Sequence, residues 1–167
     1  LTQDFDELLN NVDAIFIVSH PSKHYKQAKK ALENGVHVLC ESPIALKEEE
    51  LCELFKLAKK NNLILMDSIK TAYSTAYNRL LLLAKKGKIG DVISVDATCT
   101  SLADGSGDDW NSITAWGPTA LLPVFQLLGT DYKDKNINSL LLDSAENFDL
   151  FTKIDFTYQN AVSSVKV

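Results

Sequence analysis

The chain has 167 residues, 46% of them hydrophobic and 23% charged, which is enough to bury one substantial core or two small ones and lies outside the disordered and fibrous ranges. Its 17 Lys and Arg against 22 Asp and Glu leave a net charge of −5, a mildly acidic surface that repels a phosphate backbone. The one basic run, "AKKGKIG", puts Lys85, Lys86 and Lys88 at a predicted helix end, where cations complement the helix dipole, so no nucleic-acid partner is expected.

No repeat or low-complexity tract is present, and the elements can be taken in order. Residues 13–19 (DAIFIVS), 36–41 (VHVLCE) and 63–67 (LILMD) are short apolar runs without polar alternation. Such runs predict strands buried on both faces. Between the first two, Ser22 is expected as N-cap of a helix that places Tyr25, Ala28 and Leu32 on one stripe and stops where Gly35 can turn left-handed. Between the second and third, KEEELCELFKLAKKNN sets Leu51, Leu54, Phe55 and Ala58 at helical spacing, with Glu48 to Glu50 in its first turn and Lys59 and Lys60 in its last. Strand, helix, strand, helix, strand with short turns implies right-handed crossovers and a parallel sheet.

The order of elements changes near residue 70. A third helix, about Thr75 to Lys86, is expected between Ser74 as cap and Gly87, followed by the alternating strand DVISVDATCTSL at 91–102. The loop ADGSGDDWN leads to an apolar helix ending near Gly129, with Asn111 or Ser112 as its cap. Pro118 and Pro123 imply that this helix is kinked or starts late. Residues 137–146, 148–158 and 160–167 then read as successive strands in antiparallel hairpins. The fold class is α/β: a parallel sheet followed by an α+β part with a mainly antiparallel sheet. A sheet that opens at Asp13 has no preceding βαβ unit, no G-x-G-x-x-G follows a strand, and the last strand runs to the final residue, so both ends read as cut.

Cys40, Cys52 and Cys99 are odd in number and lack C-x-x-C spacing. They predict no zinc or redox site but reduced thiols in a cytoplasmic protein. No metal site is expected. A signal peptide and a membrane-length apolar run are both lacking from these residues, so no membrane partner is expected either.

Residues 10–46, NNVDAIFIVSHPSKHYKQAKKALENGVHVLCESPIAL, closely resemble the cofactor-domain segment of the Gfo/Idh/MocA family of NAD(P)-dependent oxidoreductases, which reads D-A-V-x-I-x-T-P-x-x-x-H and then A-L-x-x-G-K-H-V-L-x-E-K-P-x-A. AYNRLLLLAKKGKIGDVISVDAT, residues 76–98, is similar to the helix, G-x-I-G turn and strand that open the family's substrate domain, and the resemblance spans about residues 5–130. It implies that residues 1–70 are the C-terminal part of a Rossmann-type dinucleotide-binding domain and 71–167 the N-terminal part of a substrate and oligomerisation domain. By the same resemblance the opening Gly-rich βαβ unit, which would hold the pyrophosphate, and the end of the second domain lie outside this chain.

The resemblance places Pro21 and His24 in the family's P-x-x-x-H loop and Glu41 and Pro43 in its E-K-P motif, all four on the nicotinamide side of the cleft. Ser42 stands at the family's lysine, which in members that carry it is a cationic donor to the substrate hydroxyl. The family's D-x-G-x-H helix motif falls on Ala115, Gly117 and Thr119, so its Asp and His are replaced as well. Lys70 and Tyr73, just after the third strand, are candidate substitutes, with Lys70 the possible acid. Blander readings stand beside these. His24 is a solvated residue in a first helical turn, Glu41 positions a turn, Ser42 is a turn-former before proline and no nucleophile, and His37 is structural. DDWNSITAW is either a wall for a sugar-like molecule or a capped helix start with its Trp residues in the core.

Implied overall is hydride transfer between NAD or NADP and a sugar, cyclitol or similar polyol, by a cytoplasmic homo-oligomer whose usual catalytic Lys, Asp and His are replaced. The alternative is a non-catalytic relative that binds NAD(P) or a sugar in a regulatory role.

Overall fold

The computed structural model describes residues 1–100, 111–141 and 149–167. The chain divides into two units, Leu1–Ser68 and Ile69–Val167.

The first unit opens on a short helix that the sequence reading did not anticipate, α1 (Phe5–Leu9), with the Asp4 carboxylate accepting from the backbone amides of Asp6 and Glu7. Strand β1 (Ala14–Ile17), helix α2 (Pro21–Glu33), strand β2 (His37–Cys40), helix α3 (Glu48–Lys60) and strand β3 (Leu65–Asp67) follow. The three strands are parallel in the order β1-β2-β3. Helix α2 starts earlier than expected. Its cap is His20, not Ser22, because Pro21 fits the first helical position and the His20 ring nitrogen accepts from the Ser22 amide. At the far end Gly35 adopts φ 78°, as the turn requires.

Register alternates the side chains. Ile15, Val38 and Leu65 form one row and Ile17, Cys40 and Asp67 the next, both on the face that carries the helices. The core there holds Ile17, Val38 and Cys40 with Ala28, Ala31, Leu32, Leu54 and Ala58. Helices α2 and α3 are neighbours, tied by a Lys29–Glu53 ion pair of 2.6 Å. The expectation of strands buried on both faces fails. Phe16 is 52% and Met66 41% exposed on the opposite face, with Val18 and Ile64 also exposed. The reason is handedness: two right-handed crossovers running in the same direction put both helices on one side.

The second unit begins with a 3₁₀ turn (Lys70–Tyr73) and helix α4 (Thr75–Lys85). Ser74 occupies the cap position but its side chain makes no capping bond, while Gly87 closes the helix at φ 67°. Strand β4 (Ser94–Thr98), helix α5 (Ser112–Leu128) and strands β5 (Asp134–Leu141), β6 (Asp149–Thr157) and β7 (Val162–Lys166) follow. The sheet order is β4-β7-β6-β5, with β5–β6 and β6–β7 antiparallel and β4–β7 parallel.

Helix α5 covers one face of this sheet. Ala120 and Val124 meet Val95, Ile154, Phe156 and Val165, and Trp116 is partly buried beside them. The Asn111 side chain caps α5 in a reciprocal box with Thr114. The helix therefore starts ahead of both prolines, which overturns the late start that Pro118 and Pro123 implied; both lie inside it. Tyr158 donates to the Gly129 carbonyl at 2.9 Å and fixes the helix end over the sheet. Strand β5 begins earlier than expected, at Asp134. The loop at 101–110, Trp110 included, and the expected strand residues 142–146 lie outside the described residues. Among the described residues, no helix is long and apolar enough to cross a membrane.

Leu54 is fully buried between α3 and the first sheet, whereas Phe16 and Met66 sit on its exposed face. Leu54→Ala should cost about 2–5 kcal/mol in urea unfolding. The double variant Phe16→Ser, Met66→Ser should cost far less and should lower dye binding and self-association of the 167-residue chain, as read by light scattering.

Candidate functional site

Ile17, Cys40 and Asp67 end the three parallel strands in register. The next amides extend the ladder, with Glu41 N–H donating to the Ile17 carbonyl at 2.9 Å and Ser68 N–H to the Cys40 carbonyl at 2.8 Å. The loops that leave this carboxyl edge are where an open parallel sheet binds ligands. Glu41, Ser42 and Pro43 leave β2 together, all partly buried, and the Ser42–Pro43 peptide is cis.

Ser42 turns its hydroxyl toward β3 and donates to Asp67 Oδ2 at 3.5 Å. Burial raises the Asp67 carboxyl above the ordinary carboxylate range; the Ser42 hydroxyl, the Ile44 amide and the charge of His24 oppose the rise, and Glu41 adds to it. The same burial, with Asp67 and Glu41 nearby, pushes the Cys40 thiol up to about 12. Cys40 is therefore a packed thiol and no nucleophile.

His24 is 1% exposed, so the reading of it as a solvated helix-start residue is wrong. Its Nδ1 lies 2.8 Å from the Pro43 carbonyl and its Nε2 lies 2.8 Å from the Ser19 carbonyl. Pro21 begins the same helix. The other histidine placed by sequence, His37, accepts from the Ile64 amide through Nδ1 at 2.9 Å, a structural bond between β2 and the approach to β3.

The carboxyl edge thus gathers His24, Glu41, Ser42 and Pro43. Ala115 and Thr119 belong to the second unit, four residues apart on one face of α5 and both partly buried around a buried Gly117. Lys70 and Tyr73 lie exposed in the 3₁₀ turn that opens the second unit. Sequence reasoning passed over Asp67. The signal was available, because it ends the apolar run LILMD at the edge where ligands sit.

A family model described as "Oxidoreductase family, NAD-binding Rossmann fold" matches residues 1–68. The first unit, residues 1–68, is thus similar to the Gfo/Idh/MocA oxidoreductases. The chain is 34% identical over 102 residues to the uncharacterized oxidoreductase YhhX of Escherichia coli, a match over 58% of this chain and 28% of that protein. Over 68 residues it is 37% identical to scyllo-inositol 2-dehydrogenase (NADP(+)) IolU of Bacillus subtilis, covering 41% of this chain and 21% of that one. The fold matches the solved UDP-N-acetylglucosamine 3-dehydrogenase GnnA of Acidithiobacillus ferrooxidans with a TM-score of 0.82 at 23% identity, over 99% of this chain and 53% of that one. The chain thus spans about half the length of that solved relative, and its matches cover less than a third of the two curated relatives.

Because the Asp67 pKa is raised on folding, ionising it costs the native state more than the unfolded one. Its contribution favours folding below the unfolded pKa and is lost as pH rises through the folded one. Asp67→Asn should remove that slope, so that stability relative to the unmodified chain improves from about pH 4 to pH 7 in urea titrations. A slope unchanged by the substitution would assign it to another group.

Proposed function

We propose that this chain works as part of an NAD(P)-dependent oxidoreductase that oxidises or reduces a carbinol carbon of a sugar, cyclitol or similar polyol. One corner carries the reading: Glu41, Ser42 and Pro43 leave the carboxyl end of β2 beside Asp67. Residues 1–70 act as the C-terminal part of a dinucleotide-binding domain and residues 71–167 as the opening part of a substrate and oligomerisation domain, in a cytoplasmic homo-oligomer.

The residues fit the nicotinamide end of such a cofactor, with Pro21, Glu41 and Pro43 on the edge of a parallel sheet where the ring would rest. When bound, the nicotinamide gives or takes a hydride. The chain's own side chains do the rest. Glu41 and Asp67 accept hydrogen bonds and repel anions, which suits the neutral hydroxyls of a polyol. The inositol dehydrogenase and the nucleotide-sugar dehydrogenase among the relatives support the same substrate class.

Ser42 brings a hydroxyl to the edge of the first unit where the family's lysine would stand, and in the second unit the helix positions of the family's Asp and His hold Ala115 and Thr119. General acid–base help is worth about 10²- to 10⁴-fold, so turnover should be slow. These three positions together also favour a second reading, a non-catalytic relative that keeps the cofactor cleft for regulation.

Protein isolated from its source should quench or shift NAD(P)H fluorescence on binding and turn over polyols slowly. Ser42→Lys should raise kcat roughly 10²-fold while leaving coenzyme affinity within a few-fold. Binding without turnover in either form would favour the regulatory reading. Absence of NAD(P)H binding would overturn both.

A further inference from the structure

We propose that His24 is the positioning residue of the carboxyl edge: a buried imidazolium whose two N–H groups tie the Ser19 carbonyl, beyond β1, to the Pro43 carbonyl, beyond β2. The argument starts from what each partner can do. A backbone carbonyl only accepts, and a ring nitrogen donates only while it carries a proton. Both contacts measure 2.8 Å, within hydrogen-bond range, and the ring is 1% exposed, so water cannot replace either bond. A neutral imidazole satisfies one carbonyl and turns a lone pair on the other. The doubly protonated ring satisfies both.

The two carbonyls stand at the places that matter. Ser19 lies two residues beyond Ile17, the end of β1, and its side chain donates to Gln27 Oε1 on α2 at 2.5 Å. Pro43 lies three residues beyond Cys40, the end of β2, directly after Glu41 and Ser42. One ring on the first turn of α2 therefore sets the spacing of two loops that sequence leaves independent. It also restores to this corner the positive charge that Ser42 does not supply. That charge is held behind the backbone, where it lowers the affinity of Asp67 for its proton and touches no ligand.

His24 is on this account a positioning residue and not a cofactor contact. Its importance for activity rests on the oxidoreductase reading above, but the clamp itself does not, and it can be tested on the 167-residue chain without any ligand.

The decisive measurement is a long-range proton–nitrogen NMR spectrum of the histidine rings, with His24 assigned through its own backbone. The expected result is two nitrogen-bound ring protons on His24, both exchanging with water far more slowly than those of the exposed His20. A His24 ring with one bare nitrogen, or with protons exchanging as fast as those of His20, would overturn the proposal. A second measurement separates positioning from simple core filling. In His24→Gln, whose amide offers one donor nitrogen, the Glu41 and Ile44 amides should exchange roughly ten- to a hundredfold faster, the span expected for loss of a charge-assisted bond. The Val38 amide, bonded to the Ile64 carbonyl inside the sheet at 2.8 Å, should keep its protection. Equal acceleration across the sheet, or none at Glu41 and Ile44, counts against the clamp. Should His24→Gln not fold, the spectrum of the unmodified chain decides alone. Failure of the protein isolated from its source to bind NAD(P)H, with the clamp present in the 167-residue chain, would sink the functional reading and leave this one standing.

Discussion

Two right-handed crossovers taken in the same direction across a parallel sheet leave their helices no choice of side. From β1 to β2 and from β2 to β3 the strand order advances one step each time, so α2 and α3 share a face and pack on each other. Everything local to the first unit follows from that arrangement. One row of side chains, Ile17, Cys40 and Asp67, is pressed under the helices at the carboxyl edge. The alternate row, Phe16, Leu39 and Met66, faces outward. The loops that return from each strand to its helix all emerge at one edge, which is why a helix residue such as His24 can touch the turns after two different strands.

The second unit solves a different problem. Among the described residues its sheet buries one face against helix α5, and that helix carries two prolines, each of which withholds the amide that would bond four residues back. What holds it is supplied at its ends and along its flank. The Asn111–Thr114 box satisfies its first amides, and the Ser112 hydroxyl donates to the buried Asp149 carboxylate, which also accepts from Thr152 at 2.6 Å. At the other end Gly129 turns at φ 81° and Tyr158 donates to its carbonyl. Phe125 of the helix meets Phe156 edge to face, Tyr132 lies tilted against Phe156, and Tyr132 and Tyr158 meet edge to face, with ring centroids 4.8 to 6.4 Å apart.

Much of this was legible in the sequence. Apolar runs without alternation gave the three parallel strands, and helical spacing with acidic first turns and basic last turns gave α3. Asn111 was readable as a cap and Gly35, Gly87 and Gly129 as stops, because each answers a local need of the backbone. What could not be read depends on partners distant in sequence. An uncovered face looks like a buried one in a strand's composition, since the residues of β1 are apolar on both sides and only the placement of helices distinguishes them. The cap of α2 was misplaced because histidine is a rare capping residue, and only the structure shows its ring nitrogen facing the Ser22 amide.

The candidate site divides along the same line. Glu41, Ser42 and Pro43 could be named in advance because they follow a strand, and following a strand is a property of sequence order. Asp67 ends a strand by the same logic, yet its link to Ser42 spans 25 residues and leaves no period or motif behind. His24 is the sharper case. Two hydrogen bonds to carbonyls, five and 19 residues away, fix its ring. A carbonyl is present at every residue, so nothing in the amino acid at position 19 or 43 announces the bond. Side-chain to side-chain contacts constrain both partners and can show in sequence, whereas a side chain that reads only backbone constrains one. A histidine in the first turn of a helix is therefore as consistent with solvent as with the core, and the topology that brings two strand ends within reach of one ring decides between them.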